Sequence, residues 1–345
     1  MEATQNGDNL FEDQNIVLVD TQNLLRAAKE LKQSKEDFQS LLEQAELGDT
    51  SVQYDLGEHY ASGDGVETDF EKAVYWFSQA AEVGDLRAIE ALARCYFEGR
   101  GVEKDEKKGL ELLTQAAEQD SCSAQCELGL CYENADGTER DPKAAAEWYR
   151  QAADQDYAPA QCNLAVCYFN GIGVEKDDAL GMEWLEKSVS QNHPRAQTIL
   201  GSFFENGAHV EKDEGQAVRL YQLAADQDYA PAQCNLAVCY FNGIGVEKDE
   251  ALGMEWLERA VAQENPRAQS ILGGFYEAGG QVEKDEEQAV RLYQMAAEQE
   301  YAPAVCDLSL IHISTASLMA SRRPSIRCSR SGMGTLEGAP LSSYW

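Results

Sequence analysis

The sequence is poor in basic residues. Lysine and arginine number 28 against 61 aspartates and glutamates, which gives a formal net charge of −33. A nucleic-acid-binding protein needs clustered cations that displace counterions from phosphates, so this balance argues against that class. It also predicts repulsion from anionic membrane surfaces. Two interpretations of the acidity stay open: it keeps the chain in solution, or it attracts a basic partner protein.

Long apolar runs are also missing. No stretch reaches the roughly 18 apolar residues that a membrane-spanning helix needs. The first twenty residues, MEATQNGDNLFEDQNIVLVD, are acidic and hold an apolar run of only four residues, so they do not have the pattern of a secretory signal. We therefore expect a cytoplasmic protein with no direct membrane insertion.

Motifs of catalysis and metal binding are lacking as well. There are only four histidines, and the sequence holds no C-x2-C, H-E-x-x-H or G-x-S-x-G motif and no glycine-rich phosphate loop after a strand. We predict a protein that is not an enzyme, with no catalytic residue, cofactor, metal ion or small-molecule substrate.

The ten cysteines fall mostly into two columns. Cys162 and Cys167 represent the two columns within one repeat. On a helix, five residues correspond to a rise of roughly 7.5 Å with side chains about 140° apart, a geometry that does not suit a disulfide. We expect small buried thiols in a reducing compartment.

Repetition is what the sequence has in abundance. Aligned to itself at an offset of 36 residues, it gives unbroken columns: a leucine, then a small residue, then an aromatic four beyond the leucine. The leucines are Leu56, Leu92, Leu128, Leu164, Leu200, Leu236, Leu272 and Leu308. A fixed period of this length predicts stacked units that share a core, with seven full repeats between about Gly48 and Glu300.

Each repeat has the pattern of a helix pair. In the fourth repeat, Ala160, Leu164 and Tyr168 stand at i, i+4 and i+8, on one face of a first helix, which we call helix A. A glycine turn ends it, and a second helix, helix B, begins after an aspartate that suits an N-cap. That aspartate recurs in every repeat, at Asp69, Asp105, Asp141, Asp177, Asp213, Asp249 and Asp285. We expect the column of Trp76 and Leu112 to provide the large core residue of helix B.

These columns resemble the Sel-1-like repeat, a relative of the tetratricopeptide repeat (TPR), whose pattern is A-x3-L-[GA]-x2-Y-x2-G-x-G-V-x2-D. The fourth repeat reads AQCNLAVCYFNGIGVEKDDALGMEWLEKSV. The resemblance covers roughly residues 49–309 and departs from the pattern where His209 and Gln281 replace the second turn glycine. It implies an all-α fold, an α/α superhelix (solenoid) of 36-residue helix-turn-helix Sel-1-like, TPR-like repeats. Secreted cysteine-rich relatives tie helix A to helix B, but helix B has no cysteine here.

The resemblance further implies a protein–protein interaction scaffold or adaptor that binds partner proteins or peptides on a concave surface lined by the A helices. Candidate contact residues lie on helix A outside the core stripe: Asp55, Glu58, Arg94, Glu127, Asn163 and Asn235. The first four predict an acidic surface suited to a basic partner, and the two asparagines could bind a peptide backbone or a carboxylate. Asn170 and Asn242 precede glycine and are expected to cap helix A.

Other functions stay open at this stage. What the resemblance implies includes a regulatory subunit or activator of an enzyme complex, for example in ubiquitin-linked quality control or cell-wall synthesis. A hydrolase-like enzyme is a further alternative, which would need a polar cleft with perturbed titratable groups. The sequence offers no residues for such a cleft.

The ends of the chain differ from its middle. We expect residues 1–14 to be disordered, residues 15–48 to form a helical N-terminal cap or half repeat, and residues 49–309 to form the array. Residues 310–345 hold four arginines, one acid and no repeat pattern. We expect this tail to be disordered or foreign to the protein, with further repeats in the natural gene product.

A second period lies inside the array. Residues 155–226 and 227–298 are identical at 57 of 72 positions. This similarity indicates a tandem duplication of two repeats. The duplication either lengthens a binding surface or reflects only the way such arrays grow.

Overall fold

The structure, a computed structural model, describes residues 26, 29, 30 and 32–308. The predicted disordered segment 1–14 and the tail 310–345 lie outside the described residues, as does much of the predicted N-terminal cap. Within the cap, residues 32–46 are helical, and the buried side chain of Phe38 packs with Leu56 and Tyr60 of the first repeat.

The array consists of fourteen helices in seven A–B pairs between residues 53 and 298. The A helices are Gln53–Ser62, Leu86–Glu98, Cys122–Asn134, Ala158–Asn170, Pro194–Asn206, Ala230–Asn242 and Pro266–Ala278. The B helices are Phe70–Glu82, Glu106–Ala117, Pro142–Asp154, Asp178–Ser190, Glu214–Ala225, Glu250–Ala262 and Glu286–Glu298. Residues 302–308 form a further helical segment at the position of an eighth helix A. The predicted all-α repeat fold of the solenoid class is confirmed.

Two compact units divide the chain, Met1–Gln155 and Asp156–Trp345. Buried clusters in the first unit are built around Leu56 and Phe77 and around Leu113 and Leu128. In the second unit, one buried cluster takes residues from the helices between Glu214 and Glu298, and others lie around Leu185 and around Tyr293. Each unit therefore has its own core, built by the packing of successive helices.

The aspartate column performs the predicted capping role at every helix B. In all seven repeats the aspartate side chain accepts a hydrogen bond from a backbone N–H of the first turn, which satisfies a donor that has no partner within the helix. Its own backbone N–H donates to the carbonyl of the aromatic residue of helix A, as Asp177 does to Tyr168 at 3.1 Å. One residue thus closes the turn and starts the next helix.

The core stripe of helix A is confirmed. Ala160 and Leu164 are fully buried, and Tyr168 is 9% exposed. Helix B has two large core columns. The predicted column of Trp76 and Leu112 packs against the buried clusters, and its members Trp256 and Leu292 are only 7% and 8% exposed. The column one residue later is buried more deeply. Its members are Phe77, Leu113, Tyr149, Leu185, Tyr221, Leu257 and Tyr293.

Odd-numbered repeats pack a large ring of helix B onto a glycine of helix A. In the fifth repeat, a Cβ atom added to Gly201 would lie 2.7 Å from the ring of Tyr221, closer than any real Cβ contact. Gly57, Gly129 and Gly273 face Phe77, Tyr149 and Tyr293 in the same way. The Tyr221 hydroxyl then donates to Glu205 at 2.7 Å, so the buried phenol has a partner.

Even-numbered repeats reverse this arrangement. Helix A has alanine where the odd repeats have glycine, and helix B presents the smaller Leu185. Here the glycine belongs to helix B: a Cβ at Gly181 would lie 2.8 Å from the ring of Phe169 on helix A. Gly109 and Gly253 face Phe97 and Phe241 in the same way. The packing therefore repeats every two units, which is the length of the internal duplication.

A row of glutamine pairs joins the two helices of repeats three to seven. In the fourth repeat, the buried Gln161 accepts a hydrogen bond from Gln191 at the end of helix B, at 2.9 Å, and both amides donate to Asp156. The other pairs are Gln125–Gln155, Gln197–Gln227, Gln233–Gln263 and Gln269–Gln299. Sequence reasoning missed this network, although glutamine recurs in both columns at the 36-residue period.

The contact between Gly201 and the ring of Tyr221 predicts that one methyl group added at this glycine destabilises the protein. Gly201→Ala should lower the free energy of unfolding by about 1–3 kcal/mol, as overpacking does, because the methyl group overlaps Tyr221. Urea denaturation measures the change. Adding Tyr221→Leu should recover part of the loss, since it reproduces the Ala165–Leu185 pair of the fourth repeat.

Gly215→Ala is the matched control. Gly215 lies in helix B of the same repeat, where an added Cβ would contact only the Asp213 carboxylate at 3.4 Å. There the change should be neutral or stabilising, since alanine favours a helix. Equal effects of Gly201→Ala and Gly215→Ala would contradict the packing account.

Candidate binding surface

Residues 32–308 contain no group of three or more histidine, cysteine, aspartate or glutamate side chains placed to hold a metal ion. No helix in this part of the chain has the length and apolarity needed to cross a membrane. The predicted contact residues all lie on A helices.

Asp55 and Glu58 lie on helix A of the first repeat, the former half-buried and the latter exposed. Arg87, on helix A of the second repeat, holds its guanidinium 4.4 Å from the ring centre of Tyr54. The pKa of Arg87 is raised, chiefly by its hydrogen bond to Asp85 and to a smaller extent by the charge of Asp55. The first two A helices therefore place acids and an arginine side by side.

Arg94 and Glu127 form an ion pair between helix A of the second repeat and helix A of the third, at 3.6 Å. Partial burial raises the pKa of Glu127, and Glu90 raises it further, while Arg94 opposes both effects. Glu90 itself accepts hydrogen bonds from Ser123 at 2.8 and 2.9 Å. Glu90, Arg94 and Glu127 thus form a polar surface on consecutive A helices. We call this surface, together with Asp55 and Glu58, the acidic surface.

The structure places Asn163 and Asn235 beneath the surface. They are 4% and 7% exposed, and their side-chain oxygens accept hydrogen bonds from Arg195 and Arg267 of the following A helix. Any role of these two amides in partner binding therefore acts through the arginines that cover them. The spacing within helix A predicts the face of the helix on which an asparagine lies. It does not predict which residue of the next repeat covers that asparagine.

Asn170 and Asn242 act at the end of helix A, as the sequence predicted. Their amide groups donate to the carbonyls of Val166 and Val238 at 3.1 and 3.0 Å. Gly171 then adopts a left-handed conformation with φ of 67°. These two asparagines stabilise the helix terminus.

Arg195 also lines a cleft on the A helices of the second unit. Val166 and Ile199 form apolar walls, and Thr198 and Tyr229 add hydroxyl groups. Burial raises the pKa of Tyr229 above its ordinary value. The cleft thus combines a guanidinium, a phenol and apolar side chains.

The Sel1 repeat model matches seven consecutive segments, residues 50–85, 86–121, 122–157, 158–193, 194–229, 230–265 and 266–301. The chain belongs to the Sel1 repeat family. Repeats of this class mediate protein–protein interaction, and proteins built from them are typically non-enzymatic scaffolds. No curated protein matches the chain.

Solved structures agree with this assignment. A Sel1 repeat protein from Oxalobacter formigenes has a TM-score of 0.60 at 28% identity over 71% of this chain and 96% of that one. A protective antigen of uropathogenic Escherichia coli with the SLR fold has a TM-score of 0.53 at 31% identity over 85% and 67%. An immunity protein from Pseudomonas aeruginosa is similar in fold, with a TM-score of 0.50 at 20% identity over 62% and 81%.

The pKa of one histidine predicts that acid lowers the stability of the Sel1 array. The ring of His193 caps helix A of the fifth repeat by accepting from Ala196, and burial lowers its pKa to about 4 from 6.5, with Arg195 adding to the shift. Between these values the unfolded chain binds a proton that the folded chain does not, so stability falls as the pH falls from about 6.5 to about 4. Asn265 performs the same capping in the seventh repeat without a titrating group.

We therefore expect His193→Asn to lose less stability than the unaltered protein between pH 7 and pH 4.5. Thermal melts of both proteins at the two pH values measure the difference, and carboxylates common to both cancel. Parallel losses would contradict the proposed role of His193.

The thiols of the Sel1 array should be shielded. Seven of the nine described cysteines are buried. Burial raises the pKa of Cys162 to about 11 and that of Cys131 and Cys239 to about 12, which removes the reactive thiolate.

Alkylation at pH 8 should therefore modify the half-buried Cys122 and Cys306 first. The buried thiols should react only after denaturant is added. Mass spectrometry of the alkylated peptides identifies the order, and fast labelling of Cys162 in the native protein would contradict it.

Proposed function

We propose that this Sel1 array is a scaffold or adaptor that holds partner proteins on the surface of its A helices. The observation that supports the proposal is the acidic surface of the first unit, where charged side chains lie on successive A helices away from the core. Packing does not require these charges, since the core beneath them is made by residues such as Leu56 and Leu92.

The chemistry of this surface favours a basic partner. Glu127 keeps a raised pKa although Arg94 lies beside it, which means that its carboxylate is poorly solvated and close to Glu90. A lysine or arginine from a partner would stabilise both carboxylates. Opposite charges across an interface also accelerate encounter and set specificity.

A regulatory subunit that binds an enzyme would use the same surface. A scaffold and a regulatory subunit differ in the identity of the partner, whereas the surface that binds the partner is the same. The identity of the captured partner separates them, and so does an assay of the activity of that partner with and without the array.

The test begins with capture by the full-length chain and continues with purified partner. Asp55→Lys combined with Glu58→Lys should weaken binding by about tenfold at low salt, equivalent to about 1.4 kcal/mol from two surface charges. The loss should shrink as salt screens the charges. Isothermal titration at two salt concentrations measures both effects.

The matched control is Glu71→Lys combined with Glu103→Lys. These exposed acids lie on helix B and in a turn of the same unit, and reversing them changes the net charge equally. An equal loss with the control pair would show that only bulk charge matters. Unchanged affinity with the Asp55 and Glu58 variant would exclude this surface as the binding site.

A further inference from the structure

The first described helix carries positive charge in a strongly acidic chain. Residues 26–35 contain four basic residues and one acid, whereas the whole chain has 28 basic residues against 61 acids. All four basic residues are exposed and have helical backbone. Each stands three positions after the previous one, so consecutive members are neighbours on the helix surface. We call these residues the basic segment: Arg26, Lys29, Lys32 and Lys35.

The basic segment is only partly neutralised within its own helix. Arg26 pairs with Glu30 at 2.8 Å, and Lys32 pairs with Glu36 at 3.4 Å. Both pairs are exposed, and exposed ion pairs of this kind contribute little to stability. In the described part of the chain, the other two members of the segment form no ion pair. The segment therefore presents a net positive charge to a partner.

The acidic surface of the same chain does not cover this segment. The helix is fixed beside the end of helix A of the first repeat, where Ser34 donates a hydrogen bond to Asp64. The ring of Phe38 lies 5.3 Å from that of Tyr60 in the same region. Among the described residues, no ion pair joins the basic segment to the acidic surface. The first unit thus presents a positive surface and a negative surface at the same time.

We propose that the acidic surface binds the basic segment of a second copy of this chain. The acidic surface offers the four cations as many carboxylates, those of Asp55, Glu58, Glu90 and Glu127. Two copies related by a two-fold axis make this contact twice, since each copy presents both surfaces. This inference rests on the proposed function, because it names the basic partner of the acidic surface.

Glu127 is the carboxylate that gains most from such a contact. Partial burial and the charge of Glu90 raise its pKa, and its ion pair with Arg94 is long, at 3.6 Å. A lysine ammonium placed beside it by the second copy favours the ionised carboxylate. The contact therefore satisfies a charge that its own chain leaves poorly compensated.

The net charge of −33 opposes the approach of two copies mainly at long range. Exposed charges farther apart than about 10 Å are largely screened at about 0.1 M salt. The contacts between opposite charges at the interface are shorter than this distance. Self-association is therefore best measured at that ionic strength, because repulsion between the two acidic chains grows at lower salt.

Sedimentation velocity of the full-length protein over a range of concentrations measures self-association. The unaltered protein should form a dimer at about 0.1 M salt. The acidic-surface variant, Asp55→Lys with Glu58→Lys, should raise the dissociation constant of the dimer about tenfold. The basic-segment variant, Lys29→Glu with Lys32→Glu, should do the same. A monomer at every concentration of the unaltered protein would overturn the proposal, as would a dimer that neither variant weakens.

A mixture of the two variants tests the pairing directly. In a mixed dimer, the unaltered basic segment of one variant meets the unaltered acidic surface of the other, and the two reversed surfaces again have opposite charges. The mixture should therefore dimerise at concentrations where each variant alone is monomeric. Failure of two folded variants to dimerise when mixed would overturn the proposal. Circular dichroism verifies folding, and the measurement on the unaltered protein does not depend on the variants.

The matched control for the basic-segment variant is Arg219→Glu combined with Arg291→Glu. These two exposed arginines lie on B helices of the second unit, and reversing them changes the net charge equally. The control should dimerise more strongly than the basic-segment variant. An equal loss in the control would show that only bulk charge matters and would overturn the assigned contact.

The self-association proposal and the proposed function fail separately. A monomeric protein whose captured partner loses affinity on reversal of Asp55 and Glu58 would overturn only self-association. A dimer that is weakened by the basic-segment variant but not by the acidic-surface variant would place the segment on another surface of the second copy, which also overturns this inference. The capture experiment with a foreign partner then tests the proposed function independently.

Discussion

The contact on which this fold depends is the meeting of a glycine with a bulky ring between the two helices of each repeat. A helix pair can approach closely only if one helix omits a side chain where the other projects one. In odd repeats helix A has the glycine, as at Gly201 beneath Tyr221, and in even repeats helix B has it, as at Gly181 beneath Phe169. The two contacts lie one helical turn apart, since Phe169 is four residues after Ala165, the counterpart of Gly201, and Gly181 is four residues before Leu185, the counterpart of Tyr221.

This alternation explains why the chain is duplicated in units of two repeats. The ring of Phe169 packs edge-on against Phe203 of the next repeat at 5.1 Å, and Phe241 packs against Phe275 at 4.9 Å. An even repeat therefore presents its aromatic residue to an odd neighbour. Copying 72 residues preserves that neighbour relation, whereas copying 36 would place two repeats of the same type side by side and lose a ring–ring contact.

The sequence alone predicts those structural features that depend on residues within a single repeat. The N-cap aspartates, the glycine after Asn170 and the stripe of Ala160 and Leu164 each follow from backbone geometry or helical spacing within one repeat. The core column of helix B could not be chosen in this way, because Trp76 and Phe77 are both large and apolar. Phe77 is the deeper of the two because its ring packs on Gly57 of helix A, a contact between helices that the spacing within helix B does not reveal.

The predictions of contact residues also failed to foresee contacts between different repeats. Arg94 and Glu127 were assigned to one face, and the structure joins them across two repeats. Asn163 was assigned to that face as well, but a residue 32 positions later covers it. The glutamine pairs are spaced by 30 residues, so no pattern within one helix reveals them.

The net charge of −33 is unevenly distributed among the helices of the array. Self-repulsion among so many acids favours placing them on helix B and in turns, where water and salt screen them. The A helices from Ala158 to Ala278 are nearly free of acids, and the two that they contain are bound to tyrosine hydroxyls. The acidity of the chain is therefore concentrated outside these four helices.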